Sequence, residues 1–223
     1  MEIESGVLTG IFPGNFNPIS LAHLKLAVAA LEQRHLHHLI FLPRMEVKTD
    51  VGAPVHRAHR LRMIQEAIEH YPRFELSDYW FTNPKASVPE TCEFFSALHR
   101  GSRICWIIGT DDLSQLFAKR INTAAKVMDA CDLVVMERGG TSFDKVLDDL
   151  RGSRKLTEVR RTKLQNCLIH TPDVKGSGAE IRKLAAAVKP LDDFVLPEVE
   201  DYIDEACLYV CKDRSAMAGS GVS

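Results

Sequence analysis

The sequence predicts an α/β fold, a parallel sheet with helices on both faces. Short apolar runs alternate with helix-length amphipathic segments along most of the chain, the pattern of βαβ units. The first such unit carries a loop dense in Gly, Pro and Asn between its strand and its helix, within Gly10 to Leu24. A loop of that kind at the end of a first strand is where open α/β sheets take their ligands. At 223 residues, 45% hydrophobic and 26% charged, the chain has the size and balance of one globular core.

Taken in order, Val7 to Phe12 reads as a buried strand and Leu21 to Arg34, rich in Leu and Ala, as a helix. His38 to Pro43 is a second strand, and Arg44 to Pro54 a polar loop. His56 to His70 places Leu61, Ile64, Ala67 and Ile68 on one side of a helix. Phe74 to Asp78 is strand-like, Trp80 to Val88 irregular, and Pro89 opens a helix that reaches Leu98. Ile104 to Ile108 is a short buried strand. Asp112 to Ala118 is helical, and a second helical piece runs on to Cys131. Leu133 to Met136 is a strand, Arg138-Gly139-Gly140 a turn, and Phe143 to Leu150 a short helix. Cys167 to His170 is the last strand, and helices begin near Ala179 and Pro197. Gly152 to Lys163, with Arg154, Lys155, Arg160, Arg161 and Lys163, reads as a mobile, solvated connector. Residues 213–223 are small and polar and read as a disordered tail, which leaves one domain over 1–212.

Composition narrows the function classes. A net charge of −2 argues for neither nucleic acid nor a membrane surface. No apolar run approaches the ~18 residues of a membrane span, and the opening residues do not read as a signal peptide. Six cysteines, at 92, 105, 131, 167, 207 and 211, form no C-x-x-C pair. They read as buried free thiols of a reducing, cytoplasmic setting. Cys207 and Cys211 are spaced to face together on a helix, but two ligands make no zinc site. His35, His37 and His38 read as surface residues at a helix–strand junction.

Three stretches carry chemistry. In the first, Ser20 suits the N-cap of the opening helix, and His23 falls in its first turn with its ring leaning toward that end. A helix N-terminus of this kind is a phosphate site; a plain cap and a surface histidine satisfy the same spacing. In the second, Gly109 and Asp111 follow an apolar strand. Glycine there lets a ligand approach the backbone, and a carboxylate can accept from both ribose hydroxyls; a strand-to-helix turn with a capping Asp is the other reading. In the third, Ser177 and Arg182 stand at and just inside a helix start, where hydroxyl and guanidinium can hold a triphosphate. An ordinary capped helix fits equally.

Gly14, Phe16, Asn17, Pro18 and His23 resemble the signature of the adenylyl/cytidylyltransferase superfamily, with Ser20 in place of its His or Thr and Ala22 in place of its second Gly. Ile107 to Leu113 resembles the Ile-Gly-x-Asp-x-Leu motif of the nicotinamide/nicotinate mononucleotide adenylyltransferases within that superfamily. Ser177, Ile181 and Arg182 resemble its Ile-Ser-(Ser/Ala)-Thr-x-Ile-Arg motif, with Gly178 and Ala179 departing. Arg60 to Met63, Val134 to Gly140 and Val199 to Tyr209 follow the family in the same order.

The resemblance implies a Rossmann-like nucleotidyltransferase fold. It implies AMP transfer from ATP to nicotinamide or nicotinate mononucleotide, giving a dinucleotide and pyrophosphate, with Mg²⁺ entering with ATP and no metal held by the protein itself. His23 and Arg182 are the implied catalytic residues. Gly14, Asn15, Phe16, Asn17, Ser20, Ala22, Gly109, Asp111, Ser177 and Lys48 are the implied substrate-binding positions. Many bacterial members stack a Trp on the pyridine; Lys119 stands there, with Phe117 and Trp106 nearby as substitutes. A different acceptor, or a catalytically weak nucleotide-binding relative, are the alternatives that these departures raise. The oligomeric state stays open, a homo-oligomer included.

Overall fold

The computed structural model describes residues 6–45, 55–137, 142–149 and 157–210. Their order is β1 (Leu8–Gly14), α1 (Leu21–Gln33), β2 (His38–Pro43), α2 (Arg57–Ile68), β3 (Phe74–Leu76), α3 (Tyr79–Thr82), α4 (Val88–Leu98), β4 (Arg103–Gly109), α5 (Thr110–Ala130), β5 (Asp132–Met136), α6 (Phe143–Asp149), α7 (Glu158–Gln165), α8 (Gly178–Ala186) and α9 (Pro197–Glu205). The chain's contacts divide it into two compact units. Unit 1 is Met1–Pro13, Leu26–Leu42 and Arg73–Pro172; unit 2 is Gly14–Lys25, Pro43–Pro72 and Asp173–Ser223.

Unit 1 holds the sheet, in the order β3-β2-β1-β4-β5. The ladders β1–β4, β2–β3 and β4–β5 are parallel, with Ile11 opposite Trp106 and Trp106 opposite Leu133. Strands buried on both faces read as continuous apolar runs, which is why His38 to Pro43 and Ile104 to Ile108 stood out. Ile11, Ile40, Leu42, Trp106, Leu113 and Val135 belong to one buried cluster, each side chain contributing about 2 kcal/mol by its removal from water. The chain runs outward from β1 through β2 to β3, then returns to β4 on the other side of β1. That reversal is the switch point of a doubly wound sheet, and the loop carrying the first motif and the turn carrying Gly109 follow the two strands that flank it.

Several expectations need correction. The region from Trp80 to Val88 contains most of a one-turn helix, α3, too short to show a period. Residues 110–130 form one helix where two pieces were expected, since neither Gly nor Pro interrupts them. Arg60 and Met63, with Ile64, Ala67 and Ile68, make the buried side of α2; Leu61 is only half-buried. Cys167 to His170 makes a single bridge, Val135 to Leu168, in place of a strand. There the Gln33 side-chain amide both donates to the His170 carbonyl and accepts from its N–H, each at 2.8 Å. The described end of the basic connector is helical, because Thr157 caps α7 by accepting from the Arg160 N–H. The turn at 138–140, most of the 152–163 connector's first half, Lys48 and the tail lie outside the described residues.

Four helices end alike. The residues after their last turn are His35 (φ 50°), Arg100 (φ 56°), Val188 (φ 53°) and Cys207 (φ 48°), all left-handed and none of them glycine. In each case the next residue's N–H reaches back to a helical carbonyl: Leu36 to Leu31, Gly101 to Ser96, Lys189 to Leu184 and Leu208 to Ile203. This is the Schellman ending. It stops α9 before Cys207, so that thiol is off the helix and exposed, and Cys211 lies outside the described residues.

Candidate active site

The first motif lies wholly in unit 2. Gly14 is close to the Phe16 ring: a Cβ on it would stand 2.5 Å from Phe16 Cζ. Phe16 is fully buried and its ring meets the His23 ring edge-on, with centroids 5.1 Å apart. Phe16 therefore shapes the site from behind; its side chain is not a ligand surface. The Ser20 N–H donates to His23 Nδ1 at 3.1 Å, and the Ser20 hydroxyl lies 2.7 Å from the same nitrogen. A main-chain N–H can only donate, so Nδ1 is the unprotonated nitrogen and the ring proton sits on Nε2. The Ser20 hydroxyl then donates to Nδ1 as well. The imidazole accepts from the N-cap backbone three residues before it, the place a Glu or Gln takes in a capping box. Ser20 was expected as a cap with its hydroxyl toward phosphate; the structure turns that hydroxyl onto the imidazole. Of the following N–H groups, that of Leu21 donates to the Phe194 carbonyl at 2.8 Å. Ala22 is half-buried in the same turn, and Asn15 is exposed.

Asn17, 3% exposed, is the hub of a buried polar group. Its carbonyl accepts from Arg182 Nη1 at 2.6 Å, and its Oδ1 accepts from the Tyr209 hydroxyl at 2.8 Å. Its Nδ2 is buried and makes no hydrogen bond among the described residues. Arg60 lies beside it on α2, 2% exposed, and donates from Nη1 to the Asn15 carbonyl at 3.0 Å and from Nη2 to the Met45 carbonyl at 3.3 Å. Two guanidinium groups thus hold two carbonyls of one loop. Burial lowers the pKa of Arg60, with Tyr209 pulling it the other way. Burial raises that of the Tyr209 phenol, against the lowering pull of Arg182 and Arg60, so the hydroxyl keeps its proton and donates. The resemblance drew attention to Arg60 and Tyr209 but gave them no role. One signal was available: Arg60 heads the buried stripe of 60, 63, 64, 67 and 68, an odd place for an unpaired surface charge.

The α8 N-terminus belongs to the same unit. Ser177 caps it by accepting from the Glu180 N–H at 3.2 Å, and the side chain is exposed. Gly176 has φ +78°, and a Cβ there would meet the Phe194 ring at 2.4 Å. A Cβ on Gly178 would stand 3.1 Å from Arg182 Nη1, so the missing side chain at 178 makes room for that guanidinium. Arg182 itself is 9% exposed.

Unit 1 carries the second motif. Gly109 is the N-cap residue of α5 in an extended conformation, and Asp111 and Asp112 lie in the helix's first turn, where the helix dipole favours carboxylates. Gly109 holds the cap position, so Asp111, half-buried, is in the first turn and is not the cap. Trp106 and Phe117, the expected substitutes for a stacking Trp, are 4% and 6% exposed and packed in the core. Among the described residues no group of three or more His, Cys, Asp or Glu side chains is placed to hold a metal ion.

Chemically, unit 2 brings together an imidazole that donates through Nε2–H, a nearly buried guanidinium, and the starts of two helices. All four favour an oxyanion. The family profile described as cytidylyltransferase-like matches residues 11–184. The probable nicotinate-nucleotide adenylyltransferase of Pelobacter propionicus is 33% identical over 218 residues, covering 90% of this chain and 97% of that protein. The protein of the same description from Symbiobacterium thermophilum is 32% identical, covering 95% and 98%. Among solved structures, the nicotinic acid mononucleotide adenylyltransferase of Plasmodium falciparum complexed with APC shares the fold. Its TM-score is 0.66 at 18% identity, covering 91% of this chain and 97% of that one. The same enzyme complexed with NaAD superimposes with a TM-score of 0.64.

Proposed function

This chain belongs to the cytidylyltransferase-like family, with the nicotinate-nucleotide adenylyltransferases, and from that premise we propose that it transfers AMP from ATP to nicotinate mononucleotide. The products are the dinucleotide and pyrophosphate. The observation that carries the reading is the pairing of His23 and Arg182 with one short loop: Ser20 fixes the imidazole proton on Nε2, and the Asn17 carbonyl holds the guanidinium.

The mononucleotide phosphate oxygen attacks the α-phosphorus of ATP, and the bond from that phosphorus to the β-bridging oxygen breaks, releasing pyrophosphate. Such a reaction asks the protein for positioning and for charge stabilisation more than for covalent chemistry. His23 Nε2–H donates to the α-phosphate oxygens as charge develops there. Arg182 and Ser177 hold the β- and γ-phosphates and the leaving pyrophosphate. The N–H groups of Ala22 and His23 at the α1 start support the same oxygens; for Gly109 and Asp111, in unit 1, the ribose role rests on the motif resemblance alone. Gly14 to Asn17 keep the loop in shape, with Lys48 assigned to the mononucleotide side. Mg²⁺ enters as part of the substrate, MgATP, which is how that ion usually arrives at phosphoryl sites.

The test is turnover. Purified protein with MgATP and either nicotinate or nicotinamide mononucleotide should release dinucleotide and pyrophosphate in equal amounts, faster with the nicotinate form. His23→Ala should lower kcat by about 10²–10⁴ with the fold retained, the range of a lost proton-donating group. Parent-like kcat in that variant would remove His23 from the chemistry. ATP binding without product from either mononucleotide would point to another acceptor or to a relative that only binds nucleotide.

A further inference from the structure

The Tyr209 hydroxyl is far from the loop in sequence and lies beyond the end of α9, yet it is the bond that fixes the Asn17 side chain. Asn17 Oδ1 accepts from Tyr209 at 2.8 Å, and Asn17 Nδ2 has no partner among the described residues. The carbonyl of the same residue accepts from Arg182. The route by which Tyr209 gets there is itself costly: Cys207 is left-handed at φ 48° and Tyr209 at φ 65°. Non-glycine residues hold such a conformation only where the surroundings impose it. The Leu208 N–H on the Ile203 carbonyl, with Leu208 and Ile203 both buried, is that imposition. The helix ending thus turns the chain back and delivers one phenol to the phosphate loop.

We propose that Tyr209 is a positioning residue of the ATP site: its hydroxyl holds the Asn17 side chain through Oδ1 and so steadies the residue whose main-chain carbonyl accepts from the Arg182 guanidinium that holds the triphosphate. This rests on the role given to Arg182 above. Tyr209 touches no substrate and acts through Asn17. Replacing its hydroxyl therefore affects ATP and pyrophosphate, and leaves the mononucleotide alone.

The experiment titrates a non-hydrolysable ATP analogue and nicotinate mononucleotide, separately, into the full chain. Parent, Tyr209→Phe, Asn17→Ala and the double variant are compared, with circular dichroism to establish that each is folded. Tyr209→Phe should weaken the ATP analogue about tenfold, the range of one lost buried hydrogen bond to a positioned group, and shift mononucleotide affinity by less than about twofold. Asn17→Ala tests the same bond from its other side, so the double variant should be no weaker than the worse single one, the sign of residues acting as a unit. In turnover, KM for ATP should rise with kcat little changed. Parent-like ATP affinity in Tyr209→Phe, equal losses for both ligands, or strictly additive losses would each overturn the proposal. If the parent binds the ATP analogue but forms no dinucleotide, the acceptor assignment fails, and the affinities still decide the role of Tyr209.

Discussion

At the scale of single residues, the pairing of Ser20 with His23 has a measurable consequence. The Ser20 N–H remains when its side chain is removed, so the proton stays on Nε2, but one of the two donors that orient the ring is lost. Ser20→Ala should therefore lower kcat only about three- to tenfold, far less than His23→Ala, as expected for one neutral hydrogen bond. Steady-state kinetics of the two variants side by side check this. Gly176 is a case of backbone and space together. Gly176→Ala brings both a left-handed alanine and a contact with Phe194, and should cost about 2–4 kcal/mol in urea unfolding. How far these residues were legible differs by kind. Ser20, His23, Ser177 and Arg182 were legible as residues at helix starts, and the family resemblance singled them out. The direction of the Ser20 hydroxyl was not, because cap and imidazole compete for it and only geometry decides. Asn17 as a hub was invisible, since its partners lie at 182 and 209.

At the scale of elements, most strand positions and the ends of α1 and α4 were legible, while the ends of α8 and α9 were not, and the reason is specific. Helix stops are read from glycine, and after α8 and α9 Val188 and Cys207 take the left-handed place that glycine usually fills. Cys207 and Cys211 consequently read as spaced to face together on a helix, although α9 ends at Glu205. Val188 is the sharpest case, being β-branched, left-handed and 69% exposed. Val188→Gly removes a strained side chain that packs little. It should stabilise the protein by about 0.5–1 kcal/mol, the relief of left-handed strain less the added freedom of the unfolded chain. A rise in the urea midpoint at unchanged slope would show it. The helix α7 illustrates the opposite error: a run of charge read as connector is helical from Glu158, where Thr157 provides the cap.

At the scale of the whole molecule, alternation of strands and helices was enough to identify the sheet and its parallel sense, because a strand buried on both faces has nowhere to hide polar residues. The strand order was not legible, since crossovers leave no mark in local sequence. Burial also sets the chain's response to thiol reagents. Desolvation raises the Cys105 and Cys167 thiols to about 11 and about 12, and the Cys92 thiol together with burial raises Cys131 as well. A reagent must reach a thiol to react with it, so among the described cysteines native protein at pH 8 should label at the exposed Cys207, and at the buried Cys92, Cys105, Cys131 and Cys167 only once denatured. Peptide mapping after brief alkylation distinguishes the two sets. Finally, the left-handed helix ends bear on how this sequence is free to change. His35, Arg100 and Val188 are unspent stability, each improvable by one substitution outside the loop at 14–20. Proteins persist by staying above a threshold rather than at an optimum. A sequence with such reserves at its helix ends can accept a destabilising change elsewhere and regain the stability there.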